Sequence, residues 1–104
     1  MTAEEILGHR VVLRPWTYGD KQRALREATT WRREGETLVP DVDPWRLNDL
    51  MVVGCVEEWD LVDGEGEPLP ITVETLHGLQ PGFVEALIRR CQELNGVSVD
   101  ERKK

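Results

Sequence analysis

A chain of 104 residues is one domain by length and must build its core from few side chains. Its 39% hydrophobic and 32% charged content fits a folded protein and excludes a disordered one. The net charge of −7 repels phosphate, so nucleic acid is not expected as a partner, and no apolar run reaches the ~18–20 residues that span a bilayer.

The N-terminus "MTAEEILGHR" lacks a basic region followed by an apolar one, so no signal peptide is expected and the cytoplasm is the expected compartment. Residues 1–9 read as a loose lead-in, 10–97 as a single domain and 98–104 as a flexible tail. "RVVLRP", Arg10 to Pro15, is β-branched and short, and reads as a strand. Thr17 followed by Asp20 is a capping-box pattern. Tyr18, Leu25, Ala28 and Trp31 follow at roughly helical spacing, with Lys and Arg between them. Tyr18 to Arg33 therefore reads as an amphipathic helix with a basic outer face, stopped by Gly35.

Residues 35–43 read as a connection, with a short extended piece at Thr37–Val39. Asp43 and Pro44 are an N-cap and a first helical residue, so a second helix is expected over Pro44–Glu57. Its run "LMVVGCV" also suits a buried strand, and periodicity alone does not separate the two. "EEWDLVDGEGEPLPIT", Glu57 to Thr72, reads as a hairpin or tight excursion: Trp59–Val62 extended, Asp63-Gly64 supplying the turn, and Leu69–Ile71 extended between prolines. Thr72 caps a short helix, Val73–His77, that ends near Gly78, with His77 as a capping side chain. Pro81 opens the last helix, whose Phe83, Val84, Leu87, Ile88, Cys91 and Leu94 form one face and which Asn95-Gly96 closes. The expected fold is α+β: a small antiparallel sheet of two or three short strands against three main helices.

The sequence holds no constellation that points to catalysis or metal binding. Six acidic residues crowd between Glu57 and Glu67. A calcium loop, however, needs ligands at alternate positions and a following helix, where Pro68 and Pro70 stand. Paired carboxylates need a pocket that splits their pKa values, and a hydrated turn supplies none. His9, His77, Cys55 and Cys91 are scattered, without metal-ligand spacing. Both cysteines sit in apolar stretches and are expected as buried reduced thiols. "GEGE" lacks the strand, helix and Lys of a phosphate loop. No catalytic residue, metal or cofactor is therefore expected.

Trp16, Trp31, Trp45 and Trp59 are first expected in the core, with one or two left as exposed anchors for a partner. Trp31, Arg32 and Arg33 are the best anchor candidates; the plainer reading has the two arginines complementing a helix C-terminus. Leu50, Val52, Val53 and Val56 make the second helix apolar on more than one face, so one face is a candidate groove. The acidity belongs to residues 41–104, with six Lys/Arg against fourteen Asp/Glu, whereas residues 1–40 hold seven against six.

"VVLRPWTYGD", "EEWDLVDGEGEPLPITVETL" and "LQPGFVEALIRRCQELNG" together resemble the tail assembly chaperones of long-tailed bacteriophages and prophages. The matching positions are Trp59, Leu61, Asp63, Gly66, Pro68 to Thr72 and Glu93 to Gly96. The resemblance covers about residues 10–97. It implies a non-enzymatic protein that binds and solubilises the helical tape-measure protein, helps recruit tail-tube subunits, and is absent from the finished virion; self-association stays open. The alternatives are a head–tail or tail-completion protein that stays in the particle, and an acidic protein-binding inhibitor.

Overall fold

The chain opens on a hairpin, where the sequence suggested only a lead-in. A computed structural model describes residues 2–96; the expected tail, 98–104, lies outside the described residues. Strand β1 (Thr2–Ile6) runs antiparallel to β2 (His9–Leu13), with Ile6 opposite His9. The turn between them is Leu7-Gly8, with φ of 48° and 85°, the left-handed pair whose twist matches the strands it joins. The strand was hidden because Ile6 is its one buried residue. It is held by pairing with β2 and by Glu4, which accepts two hydrogen bonds from Arg90, at 2.6 and 2.8 Å.

Helix α1 (Tyr18–Ala28) starts as expected. The Asp20 N–H donates to Thr17 Oγ1 at 3.1 Å, and the Thr17 N–H donates to Asp20 Oδ2 at 2.9 Å. It ends five residues before Arg33. Thr29 leaves the helix in an extended conformation, and its hydroxyl donates to the Leu25 carbonyl. Strands β3 (Thr29–Glu34) and β4 (Thr37–Val42) follow as a second hairpin. The helical spacing of Leu25, Ala28 and Trp31 runs on past the true end of α1 by coincidence. The β-branched Thr29-Thr30 and the two-residue turn Gly35-Glu36 decide otherwise. Gly35 takes φ +67° while Glu36 does not follow it, the hairpin turn that calls for Gly at its first position.

Helix α2 (Pro44–Cys55) has the expected cap: Asp43 accepts from the Trp45 and Arg46 N–H groups at 3.0 and 3.1 Å. It stops at Cys55, and the chain passes at once into β5 (Val56–Trp59), antiparallel to β2. The ambiguous run therefore divides, with Val52 and Val53 helical and Val56 opening a strand. Glu57 is an extra residue in β5, because Val12 faces Glu58 and Leu13 faces Val56; such a bulge sharpens the twist. The expected pairing with the Arg10–Pro15 strand is real but falls at Val56–Trp59, earlier than Trp59–Val62. Leu69–Ile71 forms no strand; Leu69 N–H donates to Leu61 O at 3.0 Å, and Val62 and Pro68 make a single bridge.

Helices α3 (Val73–His77) and α4 (Pro81–Leu94) match expectation, with Asn95 as cap and Gly96 at φ +77°. The fold is thus α+β, with a three-stranded sheet ordered β1-β2-β5 and a separate two-stranded ribbon β3-β4. The core lies where α2, α3 and α4 meet the larger sheet. Val11, Leu13, Val52, Cys55, Leu76, Leu87 and Cys91 are its most buried members. His9 meets the Phe83 ring edge-on at 5.6 Å, which seats the start of β2 on α4. Asn95 ties the end of α4 to the segment that leads into α1: Oδ1 accepts from Trp16 N–H and Nδ2 donates to Cys91 O within α4, both at 2.7 Å. Among the described residues no helix is long and apolar enough to cross a membrane.

Candidate functional site

Among the described residues the β3–β4 ribbon pairs with no other strand, and none of its residues is buried. Directly opposed residues share a face. Thr29 with Val42, Trp31 with Pro40, and Arg33 with Leu38 line one face; Thr30 with Asp41, Arg32 with Val39, and Glu34 with Thr37 line the other. The first face is apolar except for Thr29 at its root and Arg33. On it Trp31 is 64% and Leu38 57% exposed. A lone two-stranded hairpin is marginal in water, so its root matters. Asp43 N–H donates to Ala28 O at 2.9 Å, and Arg46 Nε donates to Glu27 O at 3.3 Å. These bonds fix the ribbon to the α1–α2 junction and leave its tip uncovered.

Two depressions flank that root. One of about 230 Å³ lies between Leu25 and Arg26 of α1 and Trp31. The other, about 520 Å³, lies between Glu27, Thr30, Asp41 and Trp45. Trp45 is 79% exposed in the first turn of α2. It stands seven residues before buried Val52, on the same side of the helix, where none of the described residues covers it. Sequence reasoning read Thr37–Val39 as extended, which β4 bears out, but it did not carry the strand on to Val42, did not offer Leu38 to a partner, and did not single out Trp45 among the four tryptophans. The signal for Leu38 was its place directly after a Gly-containing two-residue turn.

The sequence candidates separate. Trp31, Arg32 and Arg33 lie on β3, not at a helix end, so the helix-dipole role for the arginines is corrected as well. Trp31 and Arg33 share the apolar face. Arg32 points to the other, where Nη1 donates to Glu34 at 2.6 Å. Val52 and Val56 are buried in the core and offer nothing to a partner. Packing against the sheet claims them, as it claims any β-branched residue at a helix–strand junction facing inward. Leu50 and Val53 are half-buried and line a cleft of about 200 Å³ between α1 and α2, with Trp16, Ala24 and Met51. The expected groove thus keeps two of its four residues.

The polar groups are committed to structure. The Thr17 N–H, followed by Arg14 and Arg23, holds Asp20 below the ordinary carboxylate range. Asp63 accepts from Glu65 N–H at 2.8 Å and Glu67 N–H at 3.0 Å, and Gly66, not Gly64, carries the positive φ. The acidic segment is a carboxylate-closed turn. His77 reaches Asp49 of α2 at 2.7 Å and so joins two helices where a cap was expected. Cys55 and Cys91 are buried free thiols; a hydrogen bond to Cys55, together with burial, pushes the Cys91 thiol up, away from the reactive thiolate. Among the described residues no group of three or more His, Cys, Asp or Glu could hold a metal ion. The surface with something to offer is therefore apolar and exposed, suited to binding a protein segment.

The chain matches no protein-family model, and neither curated proteins nor solved structures give a match.

Proposed function

We propose that the protein is a non-enzymatic assembly chaperone of phage tail morphogenesis, acting in the host cytoplasm on the tape-measure protein and the tail-tube protein. The observation that carries the reading is the ribbon: Trp31, Leu38, Pro40 and Val42 form one exposed apolar face, with Trp45 beside its root. Exposed aromatic and aliphatic residues on a rooted scaffold are what a holdase offers to an unassembled amphipathic helix. The acidic balance of residues 41–104 keeps the loaded complex soluble. The resemblance of residues 10–97 to tail assembly chaperones supplies the identity of the client.

Co-expression with the tape-measure protein tests this. The expected outcome is a tape-measure protein that stays soluble and co-purifies with the chain, and that precipitates when Trp31→Ala and Leu38→Ala are combined. A tape-measure protein equally soluble without the chain would sink the reading. Persistence of the chain in purified particles would favour a head–tail or tail-completion protein instead.

A further inference from the structure

We propose that the outer edge of β3 pairs antiparallel with the β3 edge of a second copy, joining two ribbons into a four-stranded sheet about a twofold axis. This goes beyond the chaperone reading and does not depend on it. Across the two-residue turn, Glu34 and Thr37 exchange hydrogen bonds, so the inward-bonded residues of β3 are Glu34, Arg32 and Thr30. The bond from Asp43 N–H to Ala28 O continues the same even-numbered series. Trp31 and Arg33 therefore turn their N–H and C=O groups outward, with no partner strand among the described residues.

The opposite edge is protected. Pro40 sits across from Trp31 at an outward position of β4, where it has no N–H to offer. One edge of the ribbon is thus blocked by proline and the other is open, and an open edge is a template for pairing. The open edge is also self-complementary. Centring the axis at Arg32 sets Trp31 of each copy against Arg33 of the other, in a bonded pair. Four backbone hydrogen bonds form, and each guanidinium lies beside an indole on the apolar face. The two Arg32 side chains meet at the axis on the other face, where each already holds Glu34 of its own strand at 2.6 Å. The acidic tip of each ribbon, with Glu34 and Glu36, reaches the last turn of the other copy's α1, which carries Arg26.

Light scattering during size exclusion gives the first readout: twice the monomer mass for the native chain. Arg33→Pro removes an outward N–H as Pro40 does and should return the mass to that of the monomer. Leu38→Pro, directly opposite on β4, should leave the dimer intact. The second readout is Arg32→Cys. At the axis the two Cα atoms come within reach of a disulfide, so the oxidised variant should run as a covalent dimer, while Thr30→Cys should not. A native monomer overturns the proposal. So does a dimer that survives Arg33→Pro, one lost equally with Leu38→Pro, or Thr30→Cys crosslinking as well as Arg32→Cys.

Discussion

Two hairpins of nearly equal length have opposite fates in this chain. β1–β2 gains a third strand and a roof of helices, and its Ile6, Val11 and Leu13 vanish from solvent. β3–β4 gains neither and buries nothing. Both are closed by two-residue turns that use left-handed backbone. The difference therefore lies in what covers the strands and not in how they pair. Covered strands supply stability, and the bare ribbon can spend its apolar residues on a partner because the core does not need them.

The two hairpins differ most in what a leucine is worth at each. Leu87 is fully buried on α4, under the larger sheet, while Leu38 stands on the ribbon. Leu87→Ala should cost about 3 kcal/mol, as core truncations do. Leu38→Ala should change stability by less than about 0.5 kcal/mol. Urea unfolding of both variants checks this; a core-sized loss for Leu38→Ala would mean that the ribbon packs against the body in solution.

A smaller effect probes what locks the first hairpin in place. Arg90 reaches from α4 to Glu4 of β1 with two hydrogen bonds and also holds Glu93 at 2.7 Å. Arg90→Ala leaves the Glu4 carboxylate, 15% exposed, without its cation, at a cost of about 2 kcal/mol. The hydrogen bond from Arg90 holds Glu4 below the ordinary carboxylate range. A carboxylate depressed in the folded state contributes stability that is present above its unfolded pKa. That contribution is lost as pH falls through the folded value. Unfolding curves between about pH 7 and pH 3 should therefore show stability falling with acid, and Glu4→Gln should flatten part of the fall. Asp20 and Asp60 are depressed too and account for a slope that survives.

How far the sequence spoke for itself follows the same division. Signals that act within one turn of chain were legible: the Thr17–Asp20 capping box, Asp43-Pro44, the apolar stripe of α4, and Asn95-Gly96. Signals that depend on a distant strand were not. "TAEEI" shows no alternation that would announce β1, because its stability comes from Val11, Arg10 and Arg90 across the fold. The ribbon misled for another reason. Leu25, Ala28 and Trp31 keep a helical spacing over a point where Thr29 leaves the helix, so a local pattern outlived the element it described. The candidate surface was half legible: Trp31 and Arg33 were found on the wrong element, and Val52 and Val56 were assigned to a partner that the core had already displaced.

The smallest effects come from the two turns, and they separate the two hairpins most directly. Leu7 holds φ 48° with a branched side chain, a conformation that costs an ordinary L-residue about 1 kcal/mol and suits Asn far better. Because β1–β2 is part of the core sheet, it opens only with the whole domain, so Leu7→Asn should raise global stability by about 0.5 kcal/mol. Gly35 takes φ +67°, and a methyl group there would meet nothing within 4 Å. Gly35→Ala therefore costs backbone strain alone, about 1 kcal/mol. That strain falls on a ribbon that can open by itself. Hydrogen exchange should show the amides of β3 and β4 about fivefold less protected, while the urea midpoint stays where it was. If the midpoint fell with the protection, the two hairpins would be one cooperative unit, and a bare ribbon rooted at the α1–α2 junction would not describe this protein.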